Sequence, residues 1–247
     1  MRCLYQEQRY DYGGYATVSL YPVFCKGRRR CRRFRPTSDA QQTLNAENAK
    51  ERLARQLAAN YTQRGLFVTF TYDNAHIPMS REAAIKDYEC FIRRLGRAFG
   101  RAGEELVYHF VPHGDVGSTR FHFQGVISAD IGLDVLNKIW RKGFVEASHL
   151  RFSKTGLLGL ARYLINGMTW GRVMHSRNVV DPVPRTRTGR VTQAKAERIG
   201  EAWDNADLYK DLYPGYKVAA VRPFYNWFNK YFYLRIYLYR EGTADGS

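Results

Sequence analysis

Arg120-Phe121-His122-Phe123-Gln124-Gly125-Val126-Ile127-Ser128 is the stretch that decides the fold, because polar and apolar side chains alternate along its first half. Such alternation is typical of a β-strand that buries one face and leaves the other accessible. Phe121 and Phe123 are therefore expected to face the core, while His122 and Gln124 share the opposite face. We predict a strand over 120–128.

The polar face of this strand brings an imidazole nitrogen and an amide oxygen close together. Two such ligands can begin a divalent-cation site that leaves positions open for a phosphate oxygen and water. The third ligand is expected from the preceding strand or its turn, where His113 and Asp115 both lie. Mixed nitrogen and oxygen ligands favour Mg²⁺ or Mn²⁺. Taken alone, a His-x-Gln pair is more often an ordinary exposed pair on a sheet, and that alternative stays open.

The segments around this strand predict both helices and strands. LFVTFTY (66–72) and LVYHFV (106–111) are rich in β-branched and aromatic residues, which indicates strands. The glycine-containing connection after 106–111 favours antiparallel pairing with 120–128. The remaining elements are four helices, predicted over 38–62, after Ser80, over 133–140 and over 157–165, and one short strand, predicted over 143–147. This order predicts an α+β fold, an antiparallel β-sheet covered by helices.

Four regions are expected along the chain: a basic N-terminal arm (1–36), the domain with the candidate site (37–170), an Arg-rich linker or loop (171–200) and an aromatic C-terminal segment (201–247). The arm is expected to be loosely structured, apart from one short strand at Ala16–Tyr21. The C-terminal segment is expected to pack on the core, because its apolar residues alternate as in a buried strand, at Phe232, Leu234, Ile236 and Leu238. A stacking surface for single-stranded bases is the alternative.

Basic side chains greatly outnumber acidic ones, and the formal net charge is +16. Such a chain is expected to bind a polyanion, with nucleic acid as the first candidate. The candidate phosphate contacts are Arg28, Arg29 and Arg30 in the basic arm, with Arg120 and Arg162 further along. A solvated arm is the alternative. No run of about 20 apolar residues and no signal-peptide pattern is present, so we expect a cytoplasmic protein without a membrane partner.

The chain has cysteines at positions 3, 25, 31 and 90. In a reducing compartment they are expected to be free thiols. Cys3, Cys25 and Cys31 around the basic run are an alternative zinc site, although their spacing matches no common zinc pattern and no fourth ligand is evident.

Six segments follow one another along the chain: VTFTYD with HIP (68–73, 76–78), FIRRL (91–95), RFHFQ (120–124), IWRKGFV (139–145), LARYL (160–164) and SRN with a later proline (176–178, 182). In this order they resemble motifs of the HUH endonuclease superfamily. The resemblance is to replication initiators of small single-stranded DNA phages (microvirus and filamentous-phage type) and of related plasmids. The third segment resembles the family's Arg-Pro-His-U-His metal motif, where U is a large hydrophobe, and the fifth resembles the helix with the nucleophilic tyrosine.

The resemblance implies an HUH endonuclease-like fold with a ferredoxin-like or RRM-like core, and it implies rolling-circle replication. Tyr163 would cut a single-stranded origin, in the form of a hairpin, and remain on the 5′ end as a phosphotyrosine. His122, Gln124 and a third ligand would hold Mg²⁺ or Mn²⁺. A host helicase and a polymerase would be the partners, in the cytoplasm of a bacterial host. Without the resemblance Tyr163 is an ordinary tyrosine, although the predicted helix places it off the apolar stripe.

The sequence departs from the family pattern at three places. Gln124 stands where most members have the second histidine, a change that some members share. Counting back from His122 without a gap places His113 at the family's acidic ligand, whereas a shift of two residues would use Asp115; we favour His113. Asn166 stands where a lysine often follows the tyrosine, so a basic group for phosphate must come from elsewhere.

Two other functions are kept as alternatives. A non-catalytic basic protein that binds single-stranded nucleic acid would need neither a metal nor Tyr163. A relaxase or a transposase would use the same chemistry for another purpose. The sequence contains no Gly-x-x-x-x-Gly-Lys-Ser/Thr loop, so we expect unwinding to be done by the host helicase.

Overall fold

The structure is a computed structural model that describes residues 4–24, 39–118 and 121–243, apart from the side chains of 39–44. The described residues form ten strands and six helices, in two antiparallel five-stranded sheets. The α+β class predicted from the sequence is therefore confirmed. The elements are, in chain order, β1 (Leu4–Tyr12), β2 (Tyr15–Val23), α1 (Asp39–Asn60), β3 (Leu66–Tyr72), α2 (Arg81–Arg101), β4 (Tyr108–His113), β5 (His122–Ile127), α3 (Leu133–Trp140), β6 (Gly143–His149), α4 (Leu158–Gly167), β7 (Met174–His175), β8 (Arg185–Thr188), α5 (Gln193–Glu201), α6 (Asp207–Lys210), β9 (Lys217–Asn226) and β10 (Tyr231–Tyr239).

The chain divides into two compact units, each with one of the sheets. We call them the central unit (residues 50–151 and 158–180) and the terminal unit (the described residues of 1–49, 152–157 and 181–247). The central unit contains most of the segment in which the sequence predicted a site. Its sheet has the strand order β6-β3-β5-β4-β7, so β5 lies in the middle.

The elements of the central unit follow the predicted periodicity closely. The predicted strand over 66–72 and the predicted helix over 133–140 have the bounds of β3 and α3. Helix α2 begins after Ser80, whose side chain accepts a hydrogen bond from the backbone N–H of Ala83 at 3.1 Å and caps the helix. The predicted strand over 106–111 is shifted, because β4 pairs with β5 as far as His113. This shift moves His113 from the turn into the sheet.

Aromatic rings fill the core of the central unit between its sheet and helices α2 and α3. Phe121 and Phe123 are buried there, as the alternation of their strand predicts. Phe70 on β3 lies at the centre of the cluster, with its ring centroid 4.3 Å from that of Phe91 and 5.5 Å from that of Trp140. Ring pairs at such distances add to the gain from burial alone.

Gly125 permits the close approach of β4 to β5. A Cβ atom at this position would overlap the carbonyl oxygen of His109 and the ring of Phe110. Any other residue would therefore force the two strands apart, in the part of the sheet that carries His122 and Gln124.

The terminal unit differs from the regions expected at both ends of the chain. Residues 4–23 form the hairpin β1–β2. The short strand predicted at Ala16–Tyr21 lies within β2, whereas residues 4–12 form a second strand and are not loosely structured. The expected linker over 171–200 contains β7, β8 and α5. The C-terminal segment does contain a packed strand, since Leu234, Ile236 and Leu238 on β10 are buried. This strand lies in the sheet β8-β1-β2-β10-β9, so the two ends of the chain share one core.

Strand β1 escaped prediction because its buried face contains an acidic residue. Glu7 on β1 is buried, and both of its carboxylate oxygens accept hydrogen bonds from Arg190 Nη1 at 2.9 Å. An acidic residue within a strand breaks the apolar alternation that marks a buried face. Only the later part of the chain supplies the arginine that makes its burial tolerable.

Some expectations fall outside the described residues, namely those for Arg28, Arg29, Arg30, Arg120, Cys3, Cys25 and Cys31. Cys90 is a free, partly buried thiol. Within the described part of the chain, no helix is long and apolar enough to cross a membrane.

Replacement of a central ring should weaken the central unit. We expect Phe70→Ala to lower its free energy of unfolding by about 3–5 kcal/mol, because the substitution leaves a cavity among the buried rings. Phe228→Ala is the control, because Phe228 is 98% exposed and its loss should change the value by less than about 0.5 kcal/mol. Urea unfolding followed by circular dichroism measures both. A loss below about 1 kcal/mol for Phe70→Ala would contradict the central place of this ring.

Candidate functional site

The register of β5 with its two neighbours gathers the polar side chains predicted to form a site. His122 pairs with His113 on β4 and with Thr71 on β3. Gln124, two residues along β5, pairs with Thr69. Because paired residues point to the same face of a sheet, His113, His122 and Gln124 project on one side. Phe121 and Phe123 are buried on the other side.

Tyr163 on α4 completes this group, which we call the His-Gln-Tyr cluster (His113, His122, Gln124 and Tyr163). Gln124 Nε2 donates a hydrogen bond to Tyr163 Oη at 3.1 Å and a longer one to Thr69 Oγ1 at 3.4 Å. The ring centroid of His113 lies 5.3 Å from that of His122 and 6.0 Å from that of Tyr163. The sequence-predicted nucleophile and three of the predicted ligands therefore lie together.

Helix α4 presents Tyr163 because the helix buries a different face. Leu158, Ala161 and Leu164 are buried, while Tyr163 is 52% exposed. The edge of the tyrosine ring contacts Phe67 on β3, with the centroids 6.1 Å apart. The hydroxyl is thereby held beside Gln124, while half of the side chain is accessible to a substrate.

The end of α4 provides the space for the His113 ring. A Cβ atom on Gly167 would overlap the ring atoms of His113, so this residue must be glycine for the ring to lie where it does. Beyond the helix, Met168 forms a bridge with His113, and the N–H of Thr169 donates to the carbonyl of Pro112 at 3.2 Å. The chain that follows Gly167 is thus fixed against β4.

The His113 side chain is buried, and its Nε2 atom has no hydrogen-bond partner among the described residues. Burial, and then the nearby His122, lower the pKa of His113, while the Leu164 carbonyl opposes this shift. The ring is accordingly neutral at pH 7, as a metal ligand must be.

Two buried acceptor atoms of the cluster could be satisfied by a ligand. His113 Nε2 and Gln124 Oε1 are buried, and neither finds a hydrogen-bond partner in the described part of the chain. Each unsatisfied buried acceptor costs about 1–3 kcal/mol, so such atoms call for an explanation. Both are lone-pair donors of the type that binds cations, and His122 adds a second imidazole. These residues fit a divalent cation held by two nitrogens and one oxygen.

Asp115, the other candidate for the third ligand, lies apart from this set. It is exposed in the turn between β4 and β5. Within residues 4–24, 39–118 and 121–243, no group of three or more His, Cys, Asp and Glu side chains is placed to hold a metal ion. Asp115 therefore does not join His113 and His122 in such a group.

Of the predicted phosphate contacts, Arg162 lies within the described residues, and it forms an ion pair with an acidic side chain. Its guanidinium lies 3.8 Å from the carboxylate of Glu51, which is buried. The positive charge beside Tyr163 is therefore balanced locally. Asn166, in the place where the resemblance leads one to expect lysine, is exposed on α4.

One residue of this face was missed as a site residue. Phe144 on β6 pairs with Thr71, which in turn pairs with His122, so Phe144 belongs to the same cross-strand row. Its side chain is 69% exposed, whereas the next residue, Val145, is buried. A phenylalanine beside a buried valine in a strand was a detectable signal, because only one of two successive residues can face the core.

Comparisons with known proteins give no relative of this chain: no protein family, no curated protein and no solved structure matches it. The resemblance of its motifs to HUH initiators therefore stands without support from these comparisons. The geometry of the His-Gln-Tyr cluster, together with the motifs, is the basis for the proposed function.

His109 is a structural histidine whose titration should affect stability. It is buried and hydrogen-bonded to Tyr61 Oη at 2.8 Å, and burial, followed by the charge of His175, lowers its pKa to about 3. In the unfolded chain this imidazole binds a proton below its ordinary pKa of about 6.5. Between these two values the unfolded state binds more protons, so the stabilising contribution is present above pH 6.5 and is lost as the pH falls towards about 3.

The expected size of this effect is up to about 1.4 kcal/mol per pH unit. Wild-type protein should therefore lose about 2 kcal/mol more of its unfolding free energy between about pH 7 and about pH 5 than the His109→Gln variant, which cannot titrate there. Urea unfolding of both proteins at the two pH values measures the difference. Equal losses would show that His109 is protonated in the folded protein.

Proposed function

We propose that this protein is a metal-dependent endonuclease that nicks single-stranded DNA with Tyr163 and so starts rolling-circle replication. The observation that carries the proposal is the hydrogen bond from Gln124 to Tyr163 Oη at 3.1 Å. It joins an accessible phenol to the side chains that fit a divalent cation, Mg²⁺ or Mn²⁺. The motif resemblance supplies the substrate, and the net charge of +16 suits a polyanion.

Tyr163 would act as the nucleophile. Its oxygen forms a bond to the scissile phosphorus, and the bond from phosphorus to the 3′ oxygen breaks. The phenol loses a proton and the departing 3′ oxygen gains one, which leaves a 5′-phosphotyrosine ester and a free 3′-OH. The ester conserves the energy of the broken bond, so a later attack by a 3′-OH joins the strand again. When bound, the cation would polarise the phosphate.

Gln124 would have two functions in this reaction. Its N–H group donates to the phenolic oxygen, which orients that oxygen and favours the negative charge that develops as the proton leaves. Its Oε1 atom has no partner among the described residues and fits the cation. One amide would thus link the nucleophile to the cation.

Phe144 would hold the strand beside the cut. Its exposed ring lies in the same cross-strand row as His122, and exposed rings bind unpaired bases by stacking. The free 3′-OH would then serve as the primer for a polymerase, and a helicase of the bacterial host would separate the strands.

A covalent adduct is the direct test of the proposal. Purified protein is incubated with labelled single-stranded DNA from its own replicon, with Mn²⁺ or Mg²⁺ or with EDTA. We expect an adduct that survives denaturation, needs the metal and is absent for Tyr163→Phe. Tyr239→Phe is the matched control and should form the adduct normally, because Tyr239 lies on β10 of the terminal unit.

The other outcomes of this experiment separate the alternatives. An adduct that persists in Tyr163→Phe would keep the reaction and assign the nucleophile to another tyrosine. Absence of any adduct on origin-containing strands, with salt-sensitive binding retained, would favour the non-catalytic binding protein.

Substitution of Gly167, which is not itself a ligand, tests whether His113 belongs to the metal-binding residues. Gly167→Ala should displace the His113 ring and weaken Mn²⁺ binding by about 10- to 100-fold, as loss of ligand orientation does elsewhere. Gly159→Ala on the same helix is the control, since no atom lies within 4 Å of a Cβ there. It should bind Mn²⁺ like the wild type. Isothermal titration with both variants measures the affinities, and equal values would remove His113 from the ligand set.

A further inference from the structure

The sheet of the terminal unit has one buried face and one partly open face. On β2 and β10, Leu20, Leu234 and Ile236 are buried in the core. Tyr21 and Tyr233, one position away from the paired residues Leu20 and Leu234, therefore project on the opposite side. Successive residues of β10 in the C-terminal segment thus lie alternately in the core and on the open face.

Aromatic and basic residues occupy neighbouring rows of this open face. Tyr233 pairs with Phe224 on β9, and Arg235 in the next row pairs with Arg222. Together with Tyr21 they line one groove across β2, β10 and β9. We call this surface the aromatic face (Tyr21, Tyr233, Phe224, Arg222 and Arg235).

The rings of the aromatic face are available to a ligand. Phe224 is 62% exposed, and Tyr21 and Tyr233 are partly exposed. Phe224 meets Tyr233 edge to face, with the ring centroids 6.2 Å apart. Neighbouring strands lie about 4.8 Å apart, and three rings on three strands therefore span about 10 Å. A row of this length suits two or three successive bases.

The charge of this face is complementary to a phosphate backbone. Its described residues include Arg222 and Arg235, and the rows continue across β1 and β8 through neutral side chains, at Gln6, Gln8, Thr186 and Thr188. None of these described positions is Asp or Glu. The acidic residue of β1, Glu7, is buried and bound to Arg190.

We infer that the aromatic face is a binding site for single-stranded nucleic acid, separate from the His-Gln-Tyr cluster. Unpaired bases stack on Tyr21, Tyr233 and Phe224, while Arg222 contacts a phosphate. Rings beside guanidinium groups, in a groove whose described lining contains no Asp or Glu, are the composition that binds single strands without sequence preference. A duplex keeps its bases stacked on each other and offers such rings nothing to bind. The inference goes beyond the proposed nicking reaction and does not need it.

Binding of an oligothymidylate tests this site apart from cleavage. The full chain with Tyr163→Phe is titrated into the fluorescein-labelled strand, and anisotropy gives Kd. Phe224→Ala and Tyr233→Leu should each weaken binding by about 5- to 150-fold, the usual effect of removing one stacking ring. Trp203→Ala, which removes an exposed ring elsewhere in the terminal unit, should leave Kd unchanged.

Two further variants separate stacking from charge and from misfolding. Arg222→Gln should lower the slope of log Kd against log salt by about 0.7, the value for one phosphate contact on a single strand. Phe224→Ala should leave that slope unchanged. Tyr233→Phe loses the hydroxyl that accepts from Asn229 Nδ2 but keeps the ring, and should bind like the parent.

The inference is overturned if Phe224→Ala and Tyr233→Leu bind oligothymidylate as tightly as Trp203→Ala. It is also overturned if both variants lose affinity for a blunt duplex to the same extent. Its failure is distinct from that of the nickase. An adduct at Tyr163 without any effect of Phe224→Ala would retain the nickase alone, and ring-dependent binding without an adduct would retain the aromatic face alone.

Discussion

The pairing of β5 with β3 and β4 is the constraint on which the rest of the central unit depends. Slipping by one residue would turn every side chain of a strand to the other face. Phe123 would then leave the core, and His122 would enter it. The register is held by the close contact of Gly125 with the backbone of His109 and the ring of Phe110. Core packing and the placement of the polar cluster are therefore decided by the same hydrogen-bonded ladder.

Two acceptor atoms of the polar cluster are kept away from water, which would otherwise hydrogen-bond to them. His113 Nε2 and Gln124 Oε1 are buried without partners among the described residues, each at a cost of about 1–3 kcal/mol. The surrounding contacts hold them in place: Gly167 leaves room for the His113 ring, and Tyr163 accepts from the amide of Gln124. The energy for this arrangement comes from the aromatic core on the opposite side of the sheet. A ligand that satisfies both atoms would recover the cost on binding.

The two sheets use aromatic residues in different ways. In the central unit nearly all large rings pack against each other, and Phe144 and Tyr163 are exposed exceptions on the side of His122. In the terminal unit the rings alternate, so that Phe224 and Tyr233 face outward between arginines. Each sheet thereby presents rings on an accessible face, which suits a basic chain whose partner is a strand of unpaired nucleotides. Each of the two surfaces consists of residues of a single unit.

The sequence by itself determined the elements that local periodicity reports. The bounds of β3 and α3, the buried Phe121 and the exposed Tyr163 all follow from which face of a strand or helix is apolar. The choice between His113 and Asp115 was beyond it, because they are two residues apart and only the pairing with His122 separates them. The hairpin β1–β2 as a whole was also beyond it, although β2 contains the strand predicted at Ala16–Tyr21. Its partner strands β8 and β10 and the arginine that binds Glu7 come from the far end of the chain, and only folding brings them together.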